Sequence, residues 1–415
     1  MTVNTLPHSE LALSLRKDFK VLDVRVGKRN VAYFDNGATG LTPTCVTEAI
    51  ANYYDNLSSN IHRGVHTLSQ KTTDLFEEAR KSIQDSIGAK HTEEVIFTSG
   101  TTHSINIVAS SFTQKHIKKG DVILSSLMEH HSNIVPWQIA AEKVGATVKP
   151  IQINSKGELD LDSLQELLQN NPVKIVAITH VSNTLGTINP VKEIAKMVHA
   201  AGAYLLVDGA QAIPHFPVNV TEIDCDFYAF SGHKAYGPTG IGVLYGKKDI
   251  LQDLPPYQGG GNMIAEVSFE KTTFGELPHR FEAGTLPIAQ AIGLGKAMQY
   301  LRENEHAKLT EYEDALLEYA TAQLKKIKGL KIIGEADKKA GVISFVIEGT
   351  HPYDVGVILD KLGVAVRTGH HCTQPLMQFF DLPGGTIRAS LSFYNTVEEV
   401  DALVAGVDRA VAMFC

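Results

Sequence analysis

Between about residues 95 and 248 the chain alternates two kinds of pattern. Short, nearly unbroken apolar runs are followed by stretches whose apolar residues recur every three or four positions. The runs are "EVIFTSG", "DVILSSL", "ATVKPIQI", "VKIVAITHVSN", "AYLLVDGAQ", "CDFYAFSGHK" and "GIGVLYGKK". Continuous apolar runs predict strands buried on both faces. Amphipathic pieces such as "VKEIAKMVHAAG" between them predict helices. Strand, helix, strand repeats build a mostly parallel sheet with right-handed crossovers. An α/β fold with a seven-stranded sheet is therefore expected.

Beyond this region the pattern changes. The stretch Pro255 to Pro287 is rich in Gly and Pro and lacks periodicity. A loop of that length in a compact domain is usually functional or lies at an interface. A long helical region is expected from Ile288 to about Lys328. Strands "LKIIG" and "GVISFVIEG", a helix "PYDVGVILDKLG", strands "VAVRTG" and "TIRASLSFY", and a final helix from Val397 complete a smaller α+β domain. The division expected is a large domain over 33–287 and a small domain from 1–32 with 288–415. There is no internal repeat and no low-complexity tract.

Composition narrows the function classes. The net charge is −8, from 46 acidic and 38 basic residues. A general nucleic-acid binder needs a basic face, so none is expected. No run approaches about 18 apolar residues, so no membrane span is expected. The N-terminal residues carry Glu10 and Asp18 and no apolar core of signal-peptide length. The four cysteines, Cys45, Cys225, Cys372 and Cys415, form no Cys-x-x-Cys pair. A reducing, cytoplasmic setting follows as the expectation.

In open α/β sheets, ligands bind beyond the carboxyl ends of the strands. Polar residues cluster there: Ser99 to Thr102, His130 and His131, Asn183, Asp208 with Gln211, and Ser231 to Lys234. Each has a plainer reading alone. Lys234 can be a surface lysine, Asp208 a turn residue, Thr101 and Thr102 helix N-caps, and Gln211 a solvated glutamine. Together they converge on one chemistry. A buried lysine after a strand can form a Schiff base. A carboxylate closing an apolar strand needs a partner, and a pyridinium nitrogen is one. These are the two main electronic handles on pyridoxal phosphate. Gln211 can donate to the phenolic oxygen of that cofactor. Gly100 with Thr101 and Thr102 opens a helix whose free N–H groups favour phosphate. Ser231 and His233 can add donors, and His130 or His131 can stack on the ring.

The stretch "RTGHHC" places Arg367, His370, His371 and Cys372 together. A zinc site is not expected, because adjacent ligands do not converge easily on one tetrahedral ion. A buried inert cysteine would sit in less polar company. Cys45 and Cys225 look like ordinary small apolar residues, and Cys415 is a chain-end thiol.

"SGHKAYGPTGIGVLYG", "LLVDGAQ", "SGTT", "MEHHSNIVPW", "THVSNTLG", "NIHRGVHTLS", "RFEAGT" and "RTGHHC" together resemble the SUF-type cysteine desulfurases. These are class V aminotransferase-like pyridoxal-phosphate enzymes, and the resemblance runs from about Tyr33 to the end. It implies the aspartate-aminotransferase-like fold, fold type I of pyridoxal-phosphate enzymes, in a homodimer. It implies that Lys234 holds the cofactor, Asp208 pairs with its nitrogen, Gln211 with its phenolic oxygen, and His130 stacks on it. Thr101, Thr102, Ser231 and His233 would hold the phosphate, with Thr285 reaching in from a second subunit. Arg388 would bind the substrate carboxylate and Asn183 would lie beside the substrate. His62 and Arg63 would border the site across the dimer.

The implied reaction takes sulfur from L-cysteine onto Cys372 as a persulfide, releases alanine, and passes the sulfur to an acceptor protein of the SUF pathway for iron–sulfur cluster assembly. Arg367, His370 and His371 are local helpers for a thiolate. The alternatives are a selenocysteine lyase or cysteine sulfinate desulfinase, which need Cys372 less, and a non-catalytic scaffold. One departure is "GTTHSIN", which puts His103 and Ser104 where many relatives have Glu then Gly.

Overall fold

A computed structural model describes residues 6–27 and 29–414; Cys415 lies outside them. The seven apolar runs form seven strands of one sheet: β1 (Val95–Thr98), β2 (Val122–Ser126), β3 (Thr147–Ile151), β4 (Val173–Thr179), β5 (Tyr204–Asp208), β6 (Phe227–Ser231) and β7 (Gly242–Gly246). Their order across the sheet is β1-β7-β6-β5-β4-β2-β3. Neighbours from β6 to β3 run parallel. β7 lies antiparallel between β1 and β6. Strands β1, β2, β5, β6 and β7 are buried along most or all of their length, which is why they read as continuous apolar runs.

Helices cover both faces. Helix Thr67–Ile87 packs with Ile288–Glu303 on one side, where Phe76, Ile83 and Leu294 are fully buried. Helices Thr101–His116 and Val135–Val144 pack on the other side, around Phe112 and Trp137. The result puts the carboxyl ends of β2, β4, β5 and β6 along one rim.

The segment 255–287, expected to be irregular, contains an exposed hairpin of β8 (Ile264–Val267) and β9 (Thr272–Phe274). The helical region expected over 288–328 is two helices, Ile288–Glu303 and His306–Leu324. They break at Asn304 and Glu305, where Glu305 turns to a φ of 53°.

A second sheet has the order β10 (Leu330–Ile333), β11 (Val342–Ile347), β14 (Thr386–Ser390), β13 (Arg367–Gly369), all antiparallel. The run "VAVRTG" is not one strand. β12 (Val364–Ala365) pairs in parallel with Ala32–Tyr33, and only β13 joins the sheet. This sheet, the final helix Val397–Phe414 and helix His306–Leu324 enclose a second core that includes Leu6, Phe19, Phe34 and Leu41. Leu6 and Phe19 thereby belong to the core of the small domain. We propose the division at residues 33 and 287 along the line between the two cores, with Phe34 and Leu41 reaching across it.

Candidate active site

The strand rim and the second sheet face each other across a cavity of about 320 Å³. Lys234 and Asp208 line it; Asp208 is buried and Lys234 half-buried. Lys234 follows β6 on a single 3₁₀ turn, Gly232–Lys234. Burial pulls its ammonium down to about 8, while the Asp208 carboxylate opposes that fall. Burial raises the Asp208 carboxyl, against the N–H of Ala210, which donates to it at 2.9 Å, and the charge of Lys234. At Gly209, beside Asp208, a Cβ would lie 1.9 Å from the Tyr228 ring, so only glycine fits there. The sequence folds so that this lysine and this carboxylate share one floor, where lowered solvent access strengthens their charges.

One end of the cavity is an open helix N-terminus. Gly100 precedes helix Thr101–His116 at a φ of 146° and provides no side-chain cap. The first turn carries no acid. The Thr101 N–H and hydroxyl meet Ser231 Oγ at 2.8 and 2.7 Å, and Thr102 lines the cavity. His233 also lines it, 3.3 Å from Thr39 Oγ1. Such an end suits an anion.

His130 forms a side of the cavity. Its Nδ1 accepts from the Ser132 N–H at 3.1 Å, which leaves any ring proton on Nε2. Burial, helped by the charge of Lys234, holds it at about 4, so the ring is neutral at pH 7. Gln211 lines the same side, and one of its amide protons goes to the Gly37 carbonyl at 2.7 Å. Beneath them, buried Glu129 joins Ser126, the Asn133 amide (2.7 Å) and the Thr179 N–H (3.0 Å). Burial pushes its carboxyl up to about 8.

The opposite wall carries Arg367, His371, Cys372 and Arg388. Cys372 is exposed, whereas Cys225 is buried and Cys45 half-buried. His371 and Cys372 both have left-handed backbone, φ 51° and 57°. The large domain holds this loop in place. The Asn183 amide donates to the His371 carbonyl at 2.8 Å, and the His131 N–H donates to the Cys372 carbonyl at 2.8 Å. The Gln374 N–H donates to His131 Nε2 at 3.2 Å, and the hydroxyls of Thr184 and Thr373 meet at 3.0 Å. His370 points away, to the Pro383 carbonyl at 2.8 Å.

Arg388 is 2% exposed. It donates to the Asn183 carbonyl at 2.9 Å and to Asp35 at 3.2 Å, and its Nε has no partner. Burial pulls it down to about 10, so it stays charged at pH 7. A buried guanidinium that lines a cavity and keeps hydrogen-bonding capacity unused can receive a carboxylate.

The residues expected from sequence thus fall into two groups. Lys234, Asp208, Gln211, His130, Thr101, Thr102, Ser231, His233, Asn183, Arg367, Arg388 and Cys372 line this one cavity. His62, Arg63 and Thr285 do not. They line a separate surface cavity of about 450 Å³. The loop carrying Thr285 is anchored there through Glu282, which pairs with Arg80 at 2.7 and 3.0 Å. Two contributors were missed. Asp35 lies in a polar turn with no local signal of its arginine partners. His131 reads from sequence only as a ring-stacking residue.

The family model "Aminotransferase class-V" matches residues 32–403. A probable cysteine desulfurase of Halalkalibacterium halodurans is 47% identical, covering 97% of this chain and 98% of the relative. A cysteine desulfurase of Synechococcus elongatus is 47% identical over 95% of this chain, which spans only 63% of that relative's length. Among solved structures, the apo cysteine desulfurase of Thermococcus onnurineus NA1 superposes with a TM-score of 0.92 at 39% identity, covering 100% of both chains. The fold is that of fold type I pyridoxal-phosphate enzymes. The chain belongs to the class-V aminotransferase family and, within it, to the cysteine desulfurases.

Proposed function

We propose that this chain is a pyridoxal-phosphate-dependent enzyme that converts L-cysteine to L-alanine and carries the sulfur away on Cys372. The observation that carries the reading is that Lys234, Asp208, Arg388 and Cys372 line one cavity. The donor set fits the cofactor: a half-buried amine for its aldehyde, a buried carboxylate for its ring nitrogen, and a helix N-terminus with no acid in its first turn for its phosphate. Pyridoxal phosphate supplies, when bound, an electron sink that makes the substrate's α-proton acidic.

The chain's own residues do the rest. Arg388 receives the substrate carboxylate on its guanidinium. Lys234, held at about 8 by burial, is poised to take and return protons near neutrality. Neutral His130 packs beside the reacting atoms. The Cys372 thiolate attacks the substrate sulfur. The S–S bond forms as the C–S bond breaks, and the carbon takes a proton. One cysteine and one thiol thus become one alanine and one persulfide.

Cys372 is exposed, which suits delivery to an acceptor protein of the SUF pathway for iron–sulfur cluster assembly. The separate cavity at His62, Arg63 and Thr285 suits a homodimer in which each copy completes the other's site. Among the described residues, no helix is long and apolar enough to cross a membrane, and we place the enzyme in the cytoplasm.

The test is alanine release from L-cysteine, compared with L-selenocysteine, by the wild type and Cys372→Ala. The variant should lose cysteine turnover by about 10²-fold or more and keep selenocysteine turnover. Undiminished cysteine turnover would remove Cys372 from the reaction, and a wild type that turns over selenocysteine or cysteine sulfinate but not cysteine would favour a selenocysteine lyase or cysteine sulfinate desulfinase.

A further inference from the structure

Asp35 stands between the two arginines of the thiol wall. Arg367 Nε and Nη2 donate to its two oxygens at 3.0 and 2.9 Å. Arg388 Nη2 reaches Oδ1 at 3.2 Å. The two arginines are direct partners across β13 and β14, a position where like charges repel. Asp35 offsets that repulsion.

The backbone of Asp35 is fixed. It bridges Ser390, and its carbonyl accepts from the N–H groups of Ala38 and Thr39 at 3.0 and 3.3 Å. Gly37 follows closely, where a Cβ would sit 3.1 Å from Arg388 Cζ. The carboxylate is therefore preorganised against both guanidinium groups. Arg367 gives it both ends of its fork, and Arg388 keeps Nε free.

The charge count on this wall follows. Two guanidinium groups and one carboxylate leave one net positive charge. His371 and His130 add none at pH 7, because burial holds them at about 3 and about 4. On the floor, Lys234 and Asp208 offset each other. One free positive charge matches a substrate with one carboxylate and a neutral thiol. A cysteine analogue with a second acid on Cβ meets an Arg367 already engaged and a carboxylate that repels it.

We propose that Asp35 is a positioning residue that sets specificity: by engaging Arg367 it admits cysteine and disfavours dianionic analogues such as L-cysteine sulfinate. The inference rests on the reading that this cavity turns over L-cysteine. The disfavoured reaction would take L-cysteine sulfinate and water to alanine and sulfite, with the C–S bond broken and the carbon protonated, and needs no added oxidant or reductant.

The experiment measures kcat and KM for L-cysteine and L-cysteine sulfinate with the cofactor-loaded wild type, Asp35→Asn and Asp35→Glu. Asp35→Asn should raise the sulfinate-to-cysteine ratio of kcat/KM by about tenfold or more, mainly through KM for sulfinate. Asp35→Glu, which keeps the charge, should return toward the wild-type ratio. A ratio within about twofold of wild type in Asp35→Asn, or equal shifts in Asn and Glu variants, overturns the proposal.

A second readout does not need turnover. Cofactor-free protein is alkylated at Cys372 with iodoacetamide in the presence of succinate or propionate. In Asp35→Asn, succinate should protect at about tenfold lower concentration and propionate at a similar one. Equal gains for both anions overturn the inference. If the wild type makes no alanine from cysteine, the reading of function fails, and this protection assay still decides the role of Asp35.

Discussion

The two walls of the cavity are built in opposite ways. The floor is made of strand ends. Lys234, Asp208 and Ser231 follow or close buried parallel strands; Asp208 and Ser231 are buried and Lys234 half-buried. The thiol wall sets the arginines of β13 and β14 beside a loop that runs from β13 to the short helix Gln374–Phe379 and carries Cys372. Two consecutive non-glycine residues there have left-handed backbone, which costs about 1–3 kcal/mol each. Hydrogen bonds from Asn183, His131 and Thr184 offset that cost. The floor needs fixed electrostatics, which strand ends in a dry core provide. The thiol must meet both the substrate and the solvent, so it sits on a tethered loop. The floor should therefore fail all at once when broken, and the loop by degrees.

The largest effect is expected on the floor. Lys234→Ala should lower alanine release by more than about 10³-fold and remove the yellow absorbance of the loaded enzyme. The lowered pKa of Lys234 makes a second prediction. In cofactor-free protein, trapping of pyridoxal phosphate at Lys234 by borohydride needs the neutral amine. Burial disfavours the charged form, so trapping should rise as pH passes through about 8. An ordinary lysine would respond only near about 10.4. Trapping that rises only at the higher pH would show that the floor is wet.

On the loop the effects should be smaller. Asn183→Ala removes the amide that holds the His371 carbonyl. A lost hydrogen bond of this kind is worth about 0.5–1.5 kcal/mol net, so kcat should fall by about two- to tenfold. Hydrogen exchange at residues 371–374 should accelerate with it. A fall in kcat without faster exchange would assign Asn183 to substrate contact alone.

This contrast also separates what could be read from sequence. Apolar runs ending in Lys, Asp or Ser are local signals, so the floor was legible residue by residue. The thiol wall was legible only in part. Cys372 stood out by its polar neighbours, but Asp35 did not, because its partner Arg367 lies 332 residues away. "VAVRTG" reads as one strand because nothing local shows that Val364 and Ala365 pair with Ala32 and Tyr33. The hairpin of β8 and β9 lies on the surface with residues such as Val267 and Phe269 exposed, so no buried face imprints a period on it. His62, Arg63 and Thr285 share a cavity across more than two hundred residues of chain, and spacing alone cannot reveal that.

His131 gives the smallest and sharpest test of the tethered loop. Its N–H donates to the Cys372 carbonyl, and its Nε2 accepts from the Gln374 N–H. It thus holds the chain at the thiol residue and two residues beyond it. Accepting at Nε2 requires the neutral ring. Burial, then the charge of His370, lowers its pKa below the ordinary histidine value. The bond is therefore intact at pH 7 and is lost as pH falls through that lowered value. His131→Ala keeps the backbone bond and removes only the ring acceptor, so the rate of Cys372 alkylation should change by about three- to tenfold. His131→Gln, whose side-chain oxygen can accept from Gln374, should recover most of the loss. If exchange of the Gln374 amide is the same in wild type and His131→Ala, the loop is held by its own turn, from the Thr373 N–H to the His370 carbonyl, and the large domain only touches it. The contrast between a rigid floor and a tethered thiol would then become one between two self-supporting walls.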